Sequence, residues 1–110
     1  MDIEIKSGKV DVIVLRGTID ALTAPEVIAA FAKHINDGHP NVVVDFAGIE
    51  FMSSAGLRAL LASVKEARGK GGDLRLASVP GPIDKILKMA GFHNIVKVYA
   101  SVDEALTSFG

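Results

Sequence analysis

The run Asn41-Val42-Val43-Val44-Asp45-Phe46 leads through Ala47-Gly48-Ile49-Glu50-Phe51-Met52 into Ser53-Ser54-Ala55-Gly56-Leu57, and its reading decides the fold. The valines and Phe46 leave too little polarity for a half-solvated strand, so this one is covered on both faces and lies in the middle of a sheet. After Phe46 the pattern predicts a loop. Leu57, Leu60, Leu61 and Val64 then recur at intervals that line one side of a helix starting near Ser54. Gly69, Gly71 and Gly72 supply its termination.

Upstream, Asp2-Ile3-Glu4-Ile5-Lys6 alternates charge with branched apolar residues, and Val10 to Leu15 is a second β-branched stretch ending at Arg16-Gly17. Ser7-Gly8 joins the two strands as a hairpin. Thr23-Ala24-Pro25-Glu26 has capping-box spacing with proline in the first turn, which predicts a helix over 24–36 with Val27, Ile28, Phe31 and Ile35 inward. Asp37-Gly38-His39-Pro40 ends it. Downstream, Leu74, Leu76 and Val79 mark a strand, and Pro82 opens a short helix stopped by Gly91. Ile95, Val96 and Val98 read as a last short strand, and Ser101-Val102-Asp103-Glu104 repeats the capping box before a final helix. The order ββαβαβαβα predicts an α/β fold: a mixed, mostly parallel sheet of about five strands with an N-terminal hairpin, right-handed crossovers and four helices. One domain spanning 1–110 accounts for the whole chain.

Composition narrows the function. Of 110 residues, 49% are hydrophobic and 23% charged, which fits a globular domain with one core. Twelve Lys and Arg against thirteen Asp and Glu give a formal charge of −1, without the basic footprint of a nucleic-acid binder. Cysteine is absent, so disulfides, thiolate metal sites and a catalytic thiol are excluded. No apolar run approaches the ~20 residues needed to span a bilayer, and the N-terminus lacks the pattern of a signal peptide. A soluble, cytoplasmic protein that neither contacts nucleic acid directly nor inserts into membrane is the expectation.

Catalytic constellations are scarce. His34, His39 and His93 are the only histidines, none at the spacing of a known zinc motif, so no metal site and no cofactor are expected. The glycines match neither phosphate-binding nor dinucleotide-binding patterns, and no nucleophile elbow is present. The chemistry concentrates at Ser53 and Ser54, two hydroxyls where a buried strand hands over to a helix. Free N–H groups and the positive end of the helix dipole favour an anion there, so a phosphoryl group on either serine is tolerated. The plainer reading is that one serine caps the helix; capping and phosphorylation can coexist.

At this segment the sequence resembles the anti-sigma factor antagonists, or STAS domains. Phe51-Met52-Ser53-Ser54-Ala55-Gly56-Leu57 is similar to their regulatory segment of an apolar pair, Asp-Ser-Ser or Asp-Ser-Thr, and Gly-Leu. Gly17-Thr18-Ile19-Asp20 is similar to the family's Gly-x-Leu-Asp turn, Asp45 to the acidic end of its central strand, and Gly91-Phe92 with Glu104-Ala105 to its C-terminal quarter. Two positions depart from the pattern. The family's acidic residue falls on Ser53 and its usual phosphoacceptor on Ala55, so the resemblance assigns phosphorylation to Ser54, with Ser53 as second choice.

The resemblance implies a non-catalytic regulator. It would bind an anti-sigma factor that is itself a serine kinase, be released by serine phosphorylation, and be restored by a serine phosphatase. The implied contact surface comprises Thr18, Asp20, Ser53, Ala55, Gly56, Arg58, Ala62 and Lys65; Arg58 lies one turn beyond Ser54, and Ala62 and Lys65 continue the stripe outside the core. The resemblance places Thr18 and Asp20 on the turn after the second strand, where chemistry alone makes Asp20 equally a turn or cap residue. Phe51 and Met52 are expected to pack under the loop, with contact to the partner as the alternative. The alternative is an unphosphorylated STAS docking subunit of a transporter or signalling scaffold.

Overall fold

A computed structural model describes all 110 residues. Five strands, β1 (Asp2–Lys6), β2 (Asp11–Ile19), β3 (Asn41–Met52), β4 (Asp73–Ala77) and β5 (Val98–Tyr99), form one sheet in sequential order. The hairpin pair β1–β2 is antiparallel, and every other neighbour is parallel. The helices are α1 (Ala24–Asn36), α2 (Ser54–Gly69), α3 (Gly81–Met89) and α4 (Val102–Thr107). This is the expected element order, with β3 at the centre.

The two faces are covered unequally. Val42, Val44 and Phe46 of β3 join Ile13 and Leu15 of β2 beneath α1, α2 and α3, through Phe31, Leu60, Val64, Ile83 and Leu87. Val43 points the other way, into a smaller cluster with Val12, Val14, Ala77 and Ala105 under α4. Valine triplets suit such a strand because burial on either side returns about 25 cal/mol per Å² of apolar surface removed from water.

Both long strands outrun their sequence boundaries. β2 continues past Arg16-Gly17 to Ile19, and β3 continues past Phe46 to Met52, so the expected loop is strand. Their parallel register slips twice: Val14 and Arg16 face Asp45 and Gly48, and Gly17 and Thr18 face Ile49 and Phe51. Each slip gives β3 one extra residue, a bulge that shifts the inward-facing phase. Phe46, Ile49 and Met52 therefore all enter the main core although they stand three apart.

Three smaller expectations also change. Thr18 lies inside β2 rather than on the turn after it. The Thr23 side chain does not cap α1: its backbone is already helical, and its Oγ1 accepts from the Asp20 N–H at 3.0 Å while the hydroxyl donates to the Thr18 carbonyl at 2.7 Å. Ile95 and Val96 fall between a 3-10 turn at Phe92–Asn94 and a β5 of only two residues, with Phe92 and Val96 both buried in the main core.

A charged cluster ties the last helix to the sheet. Asp73 accepts from Arg68 Nε and Arg75 Nε, both at 3.0 Å, while Arg75 also donates to Ser108 and lies 3.9 Å over the Phe109 ring. Burial pushes the Asp73 carboxyl up, but the two guanidiniums outweigh it and hold the group below its ordinary value. A lowered folded-state pKa means this contribution is present above the unfolded value near pH ~3.9 and is lost as pH falls through the folded one. Asp73→Asn is accordingly expected to flatten the acid limb of stability below about pH 4. An unchanged slope in urea titrations at successive pH values would remove this role from Asp73.

Candidate functional site

The parallel pairing of β2 and β3 brings their C-terminal ends to one edge, where Ser53 alone separates strand from helix. Its N–H donates to the Ile19 carbonyl at 2.9 Å, continuing the β2–β3 ladder by one step. Its backbone is still extended, while its Oγ accepts from the Gly56 N–H at 3.3 Å, so Ser53 is the α2 N-cap. Ser54 is then the first helical residue, and it is exposed.

Ser53→Ala is expected to lower stability by about 1 kcal/mol, the ordinary loss of an N-cap, while leaving the Ser54 hydroxyl in place. Urea unfolding of the variant measures it; no loss would mean the cap bond contributes nothing.

The first turn of α2 contains no acidic residue. In α1, α3 and α4 the first turn holds Glu26, Asp84, and Asp103 with Glu104. The partial positive charge at the α2 N-terminus is thus left without a carboxylate, at the one helix start that carries an exposed hydroxyl. One turn on, Arg58 is exposed and takes no part in the chain's ion pairs.

Gly56 is buried because the helix start presses against the end of β2. A Cβ there would lie 2.7 Å from the Ile19 carbonyl oxygen, 2.9 Å from Met52 Cγ and 3.0 Å from Ile19 Cγ2. On the facing turn, Asp20 Oδ1 accepts from the N–H groups of Leu22 and Thr23 at 3.0 and 3.1 Å, and the Asp20 N–H donates to Thr23 Oγ1. Asp20 is therefore a turn-forming residue, half-buried, and Thr18 is half-buried beside it, paired in register with Phe51.

The contact residues named from sequence divide by exposure. Ser54, Arg58, Ala62 and Lys65 are exposed; Thr18, Asp20, Ser53 and Ala55 are half-buried; Gly56 is enclosed and contributes shape only. Met52 is buried as expected, but Phe51 is 51% exposed because the second bulge turns it outward. Leu22, 90% exposed on the facing turn, joins it at this edge. Sequence reasoning passed over Leu22; its place between Asp20 and Thr23 in a turn without helical or strand period was the available signal. Neither Ser53 nor Ser54 lines any of the surface cavities, so the two serines do not sit in a small-molecule pocket.

No histidine serves either serine as a base. His93 is hydrogen-bonded to Asp84 at 2.8 Å, and His34 and His39 both meet Asp11 at the start of β2, the opposite end of the strand. The sequence spacing had left these last three residues unconnected; the turn after α1 brings them together.

Comparison with known proteins agrees with this architecture. BtrV of Bordetella bronchiseptica, named as an anti-sigma factor antagonist, is 30% identical over 95 residues, covering 86% of this chain and 82% of BtrV. An anti-sigma factor antagonist from Mycobacterium paratuberculosis superposes with a TM-score of 0.87 at 27% identity, over 97% of this chain and 92% of that one. The unphosphorylated form of the anti-sigma factor antagonist SpoIIAA shares the fold, with a TM-score of 0.75 at 18% identity over 97% and 96% of the two chains. The STAS domain model matches residues 3–105, nearly the full sheet and all but the end of its last helix, and the chain belongs to the STAS domain family.

Proposed function

We propose that this protein is a non-catalytic anti-sigma factor antagonist, switched off by phosphorylation of Ser54. The observation that carries this reading is the position of Ser54. It is an exposed hydroxyl at the first residue of α2, on the one helix start without a carboxylate to oppose an added phosphate. The relatives named as anti-sigma factor antagonists supply the partner class, and SpoIIAA, with a structure in a phosphorylated form, supplies a precedent for the modification.

The unmodified face binds an anti-sigma factor with serine kinase activity. Leu22 and Phe51 furnish apolar area, the helix stripe Arg58, Ala62 and Lys65 extends it, and Arg58 and Lys65 bring positive charge to an acidic partner surface. Phosphate then adds about −1.5 to −2 charge at the centre of that face, with a hydration shell that a partner lacking matching cations must strip. Arg58, four residues on, lies on the same side of α2 and answers the phosphate within the free domain, so the modified domain stays folded. A serine phosphatase restores the binding form.

Ser54 is the first choice over Ser53, whose oxygen already accepts from the Gly56 N–H. The test is intact-mass measurement after incubation with the cognate anti-sigma factor and ATP. One phosphate on the native chain and none on Ser54→Ala is the expected result. A phosphate that still attaches to Ser54→Ala overturns the assignment, and a native chain that never accepts one leaves an unphosphorylated docking subunit as the better reading.

A further inference from the structure

We infer that Asp11, His34 and His39 form a binding site for a divalent transition-metal ion of the zinc type, at the end of the sheet remote from Ser54. Asp11 is a carboxylate placed inside an apolar strand, with its side chain only 2% exposed. Such a group is costly to bury unless its oxygens are fully engaged. Oδ1 accepts from the Gly8 N–H at 2.9 Å. Oδ2 is approached by two imidazole nitrogens at once, His34 Nε2 at 2.5 Å and His39 Nδ1 at 2.9 Å.

The three donors come from three separate elements: the first residue of β2, the last turn of α1, and the turn between α1 and β3. All three ligand atoms lie within 4.8 Å of one another. A tetrahedral zinc with ligand bonds of about 2.0–2.2 Å needs its donors roughly 3.3 Å apart, so the two oxygen–nitrogen separations must open by under ~1 Å. His39 has the freedom to do this, being 54% exposed, whereas Asp11 and His34 are fixed by burial. Its open side also leaves a fourth position for water, as at sites with three protein ligands. The Gly8 N–H holds the oxygen that does not ligate, which is how a second shell orients a carboxylate toward its metal. Two imidazoles and one carboxylate suit zinc, nickel or copper rather than magnesium or calcium, whose preference is for oxygen alone.

An ion there ties the β1–β2 turn to the end of α1, about 25 Å along β2 from the phosphorylation face. It would stabilise the fold by mass action without touching the partner surface.

The test is calorimetric titration of tag-free protein with zinc chloride, with thermal midpoints in parallel, for the native chain, His39→Gln and His93→Gln. The expected result is one zinc per chain and a raised midpoint for the native chain and for His93→Gln. His39→Gln should bind at least about tenfold more weakly, since losing even an outer-shell partner weakens metal sites 10- to 100-fold. Magnesium chloride should have no effect. Absence of one-to-one zinc binding at micromolar metal, or equal binding by His39→Gln, would overturn the inference. His34 still meets Asp11 Oδ2 when His39 is replaced, and the metal-free thermal midpoint of His39→Gln, read in the same experiment, separates any loss of fold from loss of metal.

Discussion

Ser54→Asp is expected to weaken the complex with the anti-sigma factor by roughly thirtyfold, and Ser54→Ala to bind as the native chain does. Aspartate carries one negative charge where phosphoserine carries about −1.5 to −2, so it reproduces only part of the effect. Burying an unmatched carboxylate in an interface costs about 2 kcal/mol, and the full phosphate about 3, which correspond to roughly thirtyfold and a hundredfold in affinity. A factor of that size redirects a competition between two partners without any change of shape. Ser54 is exposed, and the first turn of α2 accepts negative charge, so the thermal midpoint of Ser54→Asp should equal or slightly exceed that of the native chain. Surface plasmon resonance with the immobilised anti-sigma factor measures the affinities. Equal binding by native chain and Ser54→Asp would mean that Ser54 lies outside the interface.

Gly56→Ala should destabilise the fold by about 2 kcal/mol, against the usual direction of such a change in a helix. Within an exposed helix the substitution ordinarily gains up to ~1 kcal/mol from propensity. Here the added methyl would stand 2.7 Å from the Ile19 carbonyl oxygen, the same oxygen that accepts from the Ser53 N–H. The carbonyl is backbone tied into the β2–β3 ladder and the Met52 and Ile19 side chains beside it are buried, which leaves little room to yield, and overpacking of this kind costs about 1–3 kcal/mol. The helix start must lift away from β2, so partner binding should weaken along with stability. Urea unfolding with an unchanged m-value reads the first effect. A stability gain would show that α2 does not press on β2 as the structure has it.

The order of elements was legible because hydrophobic period distinguishes strands from helices wherever a segment is regular. The limits 24–36 for α1 and the start of α2 at Ser54 match the structure to the residue. The second half of β3 was not legible, since two bulges reset its inward phase and period-two counting from Phe46 fails after the first of them. Phe51 was assigned to packing because the segment after Phe46 reads as a loop in sequence, whereas as a strand residue it faces outward. Thr23 shows a different limit: capping-box spacing is necessary for the cap, but the Asp20 N–H takes the accepting Oγ1 and the Thr23 backbone is not extended. Of the candidate site, the serines and the α2 stripe could be placed from spacing alone, and the turn carrying Asp20 and Leu22 could not, because its approach to α2 depends on long-range pairing. Asp11, His34 and His39 were invisible for the same reason. Asp11 is 23 residues from His34 in sequence, and only the packing of α1 against β2 makes them neighbours.

The most direct test is calorimetric titration of the anti-sigma factor with two forms of this protein, one unmodified and one carrying phosphate on Ser54 alone. The unmodified form should bind one-to-one and the phosphorylated form about a hundredfold more weakly, with both equally folded by circular dichroism. Indistinguishable affinities for the two forms would contradict the account.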